Sequence, residues 1–443
     1  MVSIVRNAWE TLSGSYWFIP AVLGVSAVLL SIGTLALDQT IGEDWLVGMD
    51  MRVFAPMQGE GARAVLTTIA SSMITVAGVV FSLTLLVLMQ ASSQFGPRLL
   101  VNFMHDRTNQ FMLGAFVATF AFALLVLRVV TDGDEGGAGV AFVPQVSVLT
   151  ALVLAFTTVG LLVYFFHHIA ESVRATHVLG DVENALQKMI DDLPEPDEAD
   201  ASASEDVPTD FRDDVAFIYA ETGGYLQSVA VKTLVKAASE HDAIVRVLPT
   251  VGAFVTRGVP VAEVHPAAAV AAAKSAVLRT LTTGNDRSLT QDLGFVFDEL
   301  LEIALRALSP SMNDPFTARS CIDRIAQGVL CLDGRGLPKQ VHSDEDGVVR
   351  ALVPLQSAGT LTRHLFAELR RATRGNLLVT QHLLEALVML RRQVRTNAIG
   401  SAVGSEIEAL MQDAETALPP GDRAQLVAVA SRADDSAMPT THP

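Results

Sequence analysis

Cysteine is nearly absent from this chain: its 443 residues contain two, Cys321 and Cys331. A disulfide framework is therefore excluded, and two thiols at that separation do not have metal-ligand spacing. Basic residues are also scarce, 31 Lys and Arg against 48 Asp and Glu, for a formal net charge of −17. That balance argues against a nucleic-acid partner, because affinity for phosphates rests on Lys and Arg. No GxxxxGK phosphate loop, metalloprotease helix or nucleophile–base–acid set occurs in the sequence. An enzyme is accordingly the least favoured class. No catalytic residue, metal or cofactor is assigned. The acidity itself is local, since residues 191–214 hold eleven acids and one base, Arg212.

What the chain has in abundance is apolar sequence: 50% of its residues are hydrophobic and the mean hydropathy is +0.39. That is too apolar for an ordinary soluble protein. Four apolar segments, at about 17–37, 65–89, 111–130 and 146–166, are long enough to cross a bilayer. The first exceeds a usual signal-peptide core and carries Tyr16 and Trp17 at one interface, so it is read as a retained span. Residues 131–145 carry no Lys or Arg but three acids, Asp132, Asp134 and Glu135. Arg98 and Arg107 lie in the loop before the third span, and Arg174 and Lys188 follow the fourth. By the positive-inside rule both termini are expected in the cytoplasm.

After residue 170 the pattern changes. A helical extension is expected at 171–190 and an acidic, Pro- and Ser-rich disordered linker at 191–210. Alternation at Val215, Phe217 and Tyr219, with punctuation at Gly223 and Gly224, predicts a small β-rich, barrel-like unit over 211–266. A helical part then occupies 267–418, interrupted by a Gly- and Asp-rich turn region at 333–347, and 419–443 is a mostly disordered tail. The fold class is thus a membrane α-helical part of four transmembrane helices followed by a cytoplasmic α+β domain.

Four stretches carry a family resemblance: VAGVVFSLTLLVLMQASSQFGPRLL, GYLQ at 224–227, GAFVTRGVPVAEV at 252–264 and RALSPSMNDPFTA at 306–318. In this order they resemble a family of bacterial predicted membrane proteins known as domain of unknown function 2254. The resemblance spans nearly the whole chain and implies a bacterial inner-membrane location. It implies no activity. A narrower likeness, of residues 252–261 to the turn of biotinyl and lipoyl carrier domains, lacks their hairpin-tip lysine. The nearby Lys232 and Lys236 fall in a predicted helix.

Three groups of residues stand out as candidate sites. The second span carries Thr68, Ser71, Thr75, Gly78 and Ser82 on one helix face, which suits helix packing in lipid or the lining of a narrow pore. Its exit, with Gln90, Gln94, Pro97, Arg98 and Arg107, forms an expected elbow, because proline stops a helix and restricts the residue before it. In the soluble part, Asp314 followed by Pro315 predicts a helix start. Alternatively Arg287, Asp292, Asn313 and Asp314 converge on a ligand. The partners expected are the lipid bilayer and further copies of the chain. The function expected is an oligomeric channel- or transporter-like pore with a cytoplasmic regulatory domain, or else a non-conducting scaffold or sensor.

Overall fold

A computed structural model describes residues 16–41, 57–96, 106–131, 142–193, 211 and 214–431. The chain divides into two compact units, Met1–His177 and Val178–Pro443. Most of the expected linker (194–210), Pro97, Arg98 and residues 432–443 lie outside the described residues.

The N-terminal unit holds four helices long and apolar enough to cross a membrane: α1 (Phe18–Ile41), α2 (Gly59–Phe95), α3 (Arg107–Leu127) and α4 (Gln145–Ser172). Each satisfies its own backbone internally, the requirement hydrocarbon imposes on a spanning segment. The helices outrun the apolar runs that predict them. The largest excess is in α2, whose 37 residues extend over about 55 Å, well beyond a hydrocarbon core of about 30 Å. α3 packs against each of the other three. It buries Met112, Phe116, Phe122 and Val126. Gly114 brings α1 close, since a Cβ there would meet Leu23 Cδ1 at 2.7 Å and the Pro20 Cα at 2.9 Å. α2 turns Leu66, Ile69, Met73, Ala77 and Val80 inward at spacings of three and four.

The C-terminal unit begins within α5 (Ala175–Asp191), separated from α4 by the non-helical pair Val173 and Arg174. Its apolar face, Val178, Leu179, Val182, Leu186 and Ile190, is buried. The strands that follow are β1 (Ala216–Tyr219), β2 (Gly224–Val229), β3 (Ile244–Val247), β4 (Phe254–Val255) and β5 (Pro260–His265). They do not close on themselves as the expected barrel-like unit of 211–266. β6 (Leu281–Gly284), β7 (Val341–Ser343) and β8 (Val349–Leu352) join them, giving the order β1-β5-β3-β8-β7 in one sheet and β4-β2-β6 in another. β8 pairs parallel to β3, Val245 against Ala351, so the supposed turn region at 333–347 ends in a hairpin that covers an otherwise open strand. One face of the larger sheet buries Ile218, Val245, Val247, Ala262 and Val264 with residues of α6 (Val231–Glu240) and α7 (Val270–Thr280). Lys232 and Lys236 lie in α6.

The remaining helices are α8 (Leu293–Ala307), α9 (Pro315–Arg335), α10 (Ala358–Thr373), α11 (Leu377–Gln393), α12 (Asn397–Ala417) and α13 (Pro420–Ala430). α9 packs against α8, α10 and α11, and α12 against α10 and α11. α13 lies in the first part of the tail, where the sequence reading expects one weak helix at about 423–432 ahead of disorder. Two edges of this bundle are fixed by carboxylates. Asp333 accepts from the Arg395 and Thr396 N–H groups at 2.7 and 2.9 Å, ahead of α12. Arg370 pairs with the buried Glu406 at 3.0 Å.

Candidate functional sites

On α2, Thr68, Ser71, Thr75, Gly78 and Ser82 are all exposed, on the side opposite the buried stripe. The row therefore lies on the outer surface of the four-helix unit. Its hydroxyls do not depend on a partner for their protons. Thr68 Oγ1 donates to the Ala64 carbonyl at 2.7 Å, and Ser71 Oγ to that of Thr67 at 2.8 Å. Thr75 Oγ1 and Ser82 Oγ donate in the same way to Ser71 and Gly78, each at 2.8 Å. Such bonds to the preceding turn let Ser and Thr sit in an apolar setting with no unsatisfied donor. Nothing lies within 4 Å of where a Gly78 Cβ would project, so a neighbouring backbone has room to approach there.

Beyond the row, α2 continues through the exposed Gln90 and the half-buried Gln94 to Phe95. The helix stops at Gly96, whose φ of 109° favours glycine and whose N–H donates to the Ser92 carbonyl. Arg107 is the first residue of α3 and is exposed. Asp106 caps that helix by accepting from the Thr108 N–H at 2.8 Å, while its other oxygen meets His168 Nε2, also at 2.8 Å. This contact ties the start of α3 to the end of α4.

The opposite end of the unit contains a second polar set, absent from the sequence expectations. Asp38, near the end of α1, accepts from the Val146 N–H at 2.7 Å, the Ser147 N–H at 3.1 Å and Ser147 Oγ at 2.6 Å. One carboxylate so serves the N-terminus of α4 from a different helix. Buried Thr34 lies 3.0 Å from the same Ser147 Oγ. Gln145 exchanges two hydrogen bonds with the Met57 backbone, at 3.0 and 2.9 Å. Arg63 donates to the Val130 carbonyl just past α3 at 2.7 Å. These residues bind helix termini, the backbone groups a helix leaves without internal partners.

In the C-terminal unit the expected group Arg287, Asp292, Asn313 and Asp314 falls into two places. Arg287 grips Asp292 with two bonds, Nε to Oδ2 at 2.7 Å and Nη2 to Oδ1 at 2.8 Å. Its Nη1 donates to Asp298 at 2.6 Å, and Asp298 in turn faces His364 at 3.3 Å. Asp292 is 4% exposed, caps α8 through the Phe295 N–H, and presses into the space a Cβ on Gly252 would occupy. Gly252 has φ of 88°, so the glycine meets both the turn and the close approach. Burial alone would lower the Arg287 pKa, but the hydrogen bonds and charges of Asp292 and Asp298 outweigh it and raise it. The cation stays charged.

Asn313 and Asp314 sit at the far end of α8, whose 15 residues span about 22 Å. There Asp314 caps α9, accepting from Phe316 and Thr317 N–H at 3.1 Å and from Thr317 Oγ1 at 2.6 Å, with Pro315 next in line. Burial raises its pKa, and the Thr317 and Phe316 hydrogen bonds more than reverse this, so the net shift is downward. Asn313, exposed, takes φ of 45° in the turn before it. Both residues are accounted for by the helix start. Among the described residues no group of three His, Cys, Asp or Glu is placed to hold a metal ion. Burial pushes the Cys321 thiol up to about 12, so it is neutral and unreactive at physiological pH.

Asp38, Ser147, Asp298 and His364 were not visible as candidates because their partners are far away in sequence. Asp38 left one usable signal, an acid directly after an apolar run. Comparison with known proteins adds a family but no activity. The profile described as "Predicted membrane protein (DUF2254)" matches residues 13–389. The chain is 32% identical over 433 residues to the uncharacterized protein Mb1321c of Mycobacterium bovis and to the uncharacterized protein Rv1290c of Mycobacterium tuberculosis. Each alignment covers 96% of this chain and 81% of the relative. No solved structure matches. A profile and relatives that cover this much of the sequence settle the kinship: the chain belongs to the DUF2254 family of predicted membrane proteins.

Proposed function

We propose that this protein is an oligomeric inner-membrane pore, channel- or transporter-like, with both termini in the cytoplasm and a C-terminal regulatory domain. One observation carries the reading. The Thr68–Ser71–Thr75–Gly78–Ser82 row faces outward from the four-helix unit, on a helix otherwise suited to lipid. A path lined by that row therefore has to form between copies of the chain, around an axis that α2 helices share. The base-free residues 131–145 support the orientation.

A second reading is favoured by a separate observation. Because each hydroxyl of the row is bonded to its own helix, the face also suits dry packing against another subunit. The protein is then a non-conducting scaffold or sensor whose C-terminal unit binds a partner or small ligand. Conductance of the purified full-length chain in liposomes separates the two. The pore reading expects a current that Thr75→Leu and Ser82→Leu each reduce. No current, or one indifferent to both substitutions, leaves the scaffold.

A further inference from the structure

The larger sheet ends at β1, and among the described residues no strand pairs with the outer edge of β1. The backbone of that edge is turned outward. Ala220 donates its N–H to the Val259 carbonyl and accepts from the Gly258 N–H, each at 2.9 Å, on the β5 side. Successive residues of an antiparallel strand point both groups to alternate sides, so Phe217 and Tyr219 direct theirs to the open edge. Proteins ordinarily blunt such an edge with charge, proline or a very short strand. At the other edges β4 has two residues, and β7 has three with His342 among them. Residues 215–220 instead run Val-Ala-Phe-Ile-Tyr-Ala, without charge, proline or glycine. Phe217 and Tyr219 are 43% and 50% exposed, with ring centroids 6.5 Å apart.

The charges at the two ends of this edge say what pairs with it. Asp214, just before β1, is exposed and makes no ion pair among the described residues. In sequence, Arg212 and Asp213 ahead of it offset each other. At the other end Glu221 is paired with Lys274 at 3.1 Å. Arg257 belongs to that end too, because the next residue, Gly258, bonds Ala220. Arg257 is exposed and makes no ion pair among the described residues. One end of the edge is therefore negative and the other positive. The path from Asp214 to Ala220 is about 20 Å of extended chain, so the two charges do not meet within one copy. A strand laid antiparallel along β1 satisfies both ends only if its own ends carry the same charges in the same chain order. The β1 strand of a second copy, related by a two-fold axis, has that arrangement by symmetry.

We propose that β1 is an interface between copies of this chain. Two β1 strands pair antiparallel about a two-fold axis near Phe217 and Ile218, joining two five-stranded sheets into one. The outward N–H and C=O groups of each strand bond to the other. Phe217 and Tyr219 stack across the axis on the same face, the cross-strand aromatic contact that stabilises antiparallel pairs. Asp214 of each copy meets Arg257 of the other. The inference concerns the C-terminal units alone and does not rest on the outward row of α2.

The test uses the full chain in native membranes with Cys331→Ala, leaving only the buried Cys321. Phe217→Cys places a thiol beside the axis, and a short bifunctional thiol reagent reports copies joined there. A covalent dimer is expected. Asp214→Arg makes both ends of the edge positive, and Arg257→Asp makes both negative. Each alone should lower the cross-linked yield about threefold or more, since every charge contact occurs twice across a two-fold. The two substitutions together restore opposite ends and should return the yield to near that of the parent. All three positions are exposed, so the changes leave the packed interior alone. No dimer at 217, a yield indifferent to the single substitutions, or a double variant as low as the singles overturns the proposal. Thr75→Cys is cross-linked in parallel: a dimer at 75 without one at 217 overturns this inference and leaves the α2 contact standing.

Discussion

The two units of this chain differ in how charged side chains join their elements. In the N-terminal unit the large apolar side chains Leu29, Leu86, Phe156 and Val163 are exposed. There Asp38, Arg63 and Asp106 contact the backbone at helix ends. In the C-terminal unit most large apolar side chains are buried, and arginines bind carboxylates across elements. Arg287 holds Asp292 and Asp298, Arg350 holds Asp344 and Asp242, and Arg370 holds Glu406 and Asp413. Solvent accounts for the difference on the proposal that the first unit lies in lipid. In hydrocarbon or its margin, unpaired helix termini have no water to turn to, so a scarce charge is best placed there. In the C-terminal unit Asp292, Asp314 and Asp333 also serve helix starts, and its arginines in addition lock neighbouring segments together.

That contrast can be broken by substitution, and the largest effect belongs to the C-terminal unit. Arg287→Ala leaves Asp292 buried without its cation, a loss of about 3–5 kcal/mol when one partner of a buried pair is removed. Unfolding of the detergent-solubilised protein, followed together with hydrogen exchange around Gly252, should show it. A change smaller than that of a surface substitution contradicts the ion-pair account.

Asp38→Ala comes next. It removes the cap of α4 supplied from α1, and cap losses typically amount to about 0.5–2 kcal/mol. The expected result is lower thermal stability of the N-terminal unit, with Asp38→Asn recovering part of it. If both variants match the parent, the membrane unit does not rely on its charges at helix ends.

The smallest effect is a pH dependence. The Asp314 pKa is depressed below its ordinary 3.8 by hydrogen bonds in the folded state. Its contribution is therefore complete above that value and is lost as pH falls through the lower folded-state pKa. Amide exchange at the start of α9 should accelerate in that acid range in the parent. In Asp314→Asn the same amides should be less protected at neutral pH and change less on acidification.

Much of the architecture is legible from residue pattern. The four apolar runs mark α1 to α4, and Asp314-Pro315 marks the start of α9. Helix ends were less legible, since hydropathy reports only the part of a helix that suits lipid. α2 continues through Gln90 to Phe95, where Ala91 and Phe95 are buried. α12 falls within the helical part expected over 267–418 but is not marked out there as a helix of its own. Its segment is rich in Ala, Gly and Ser, and much of its position comes from packing on α10 and α11. The β7–β8 hairpin was hidden because its identity as sheet depends on β3, about a hundred residues earlier in the chain. β1 shows the limit of alternation: Phe217 and Tyr219 alternate, yet Ile218 between them is the residue buried. The candidate sites divided for the same reason. Arg287 and Asp292 are near in sequence and meet, whereas Asp298, His364, Asp38 and Ser147 find partners only through the fold.

The central claim is that the outward row of α2 faces another copy of the chain, not lipid. Oxidative cross-linking in native membranes tests it directly, with Thr75→Cys and Phe156→Cys compared in a Cys331→Ala background. Both positions are exposed on the single unit. The account predicts a covalent dimer from Thr75→Cys and little or none from Phe156→Cys. A Thr75→Cys protein that stays monomeric, or that cross-links no better than Phe156→Cys, contradicts it.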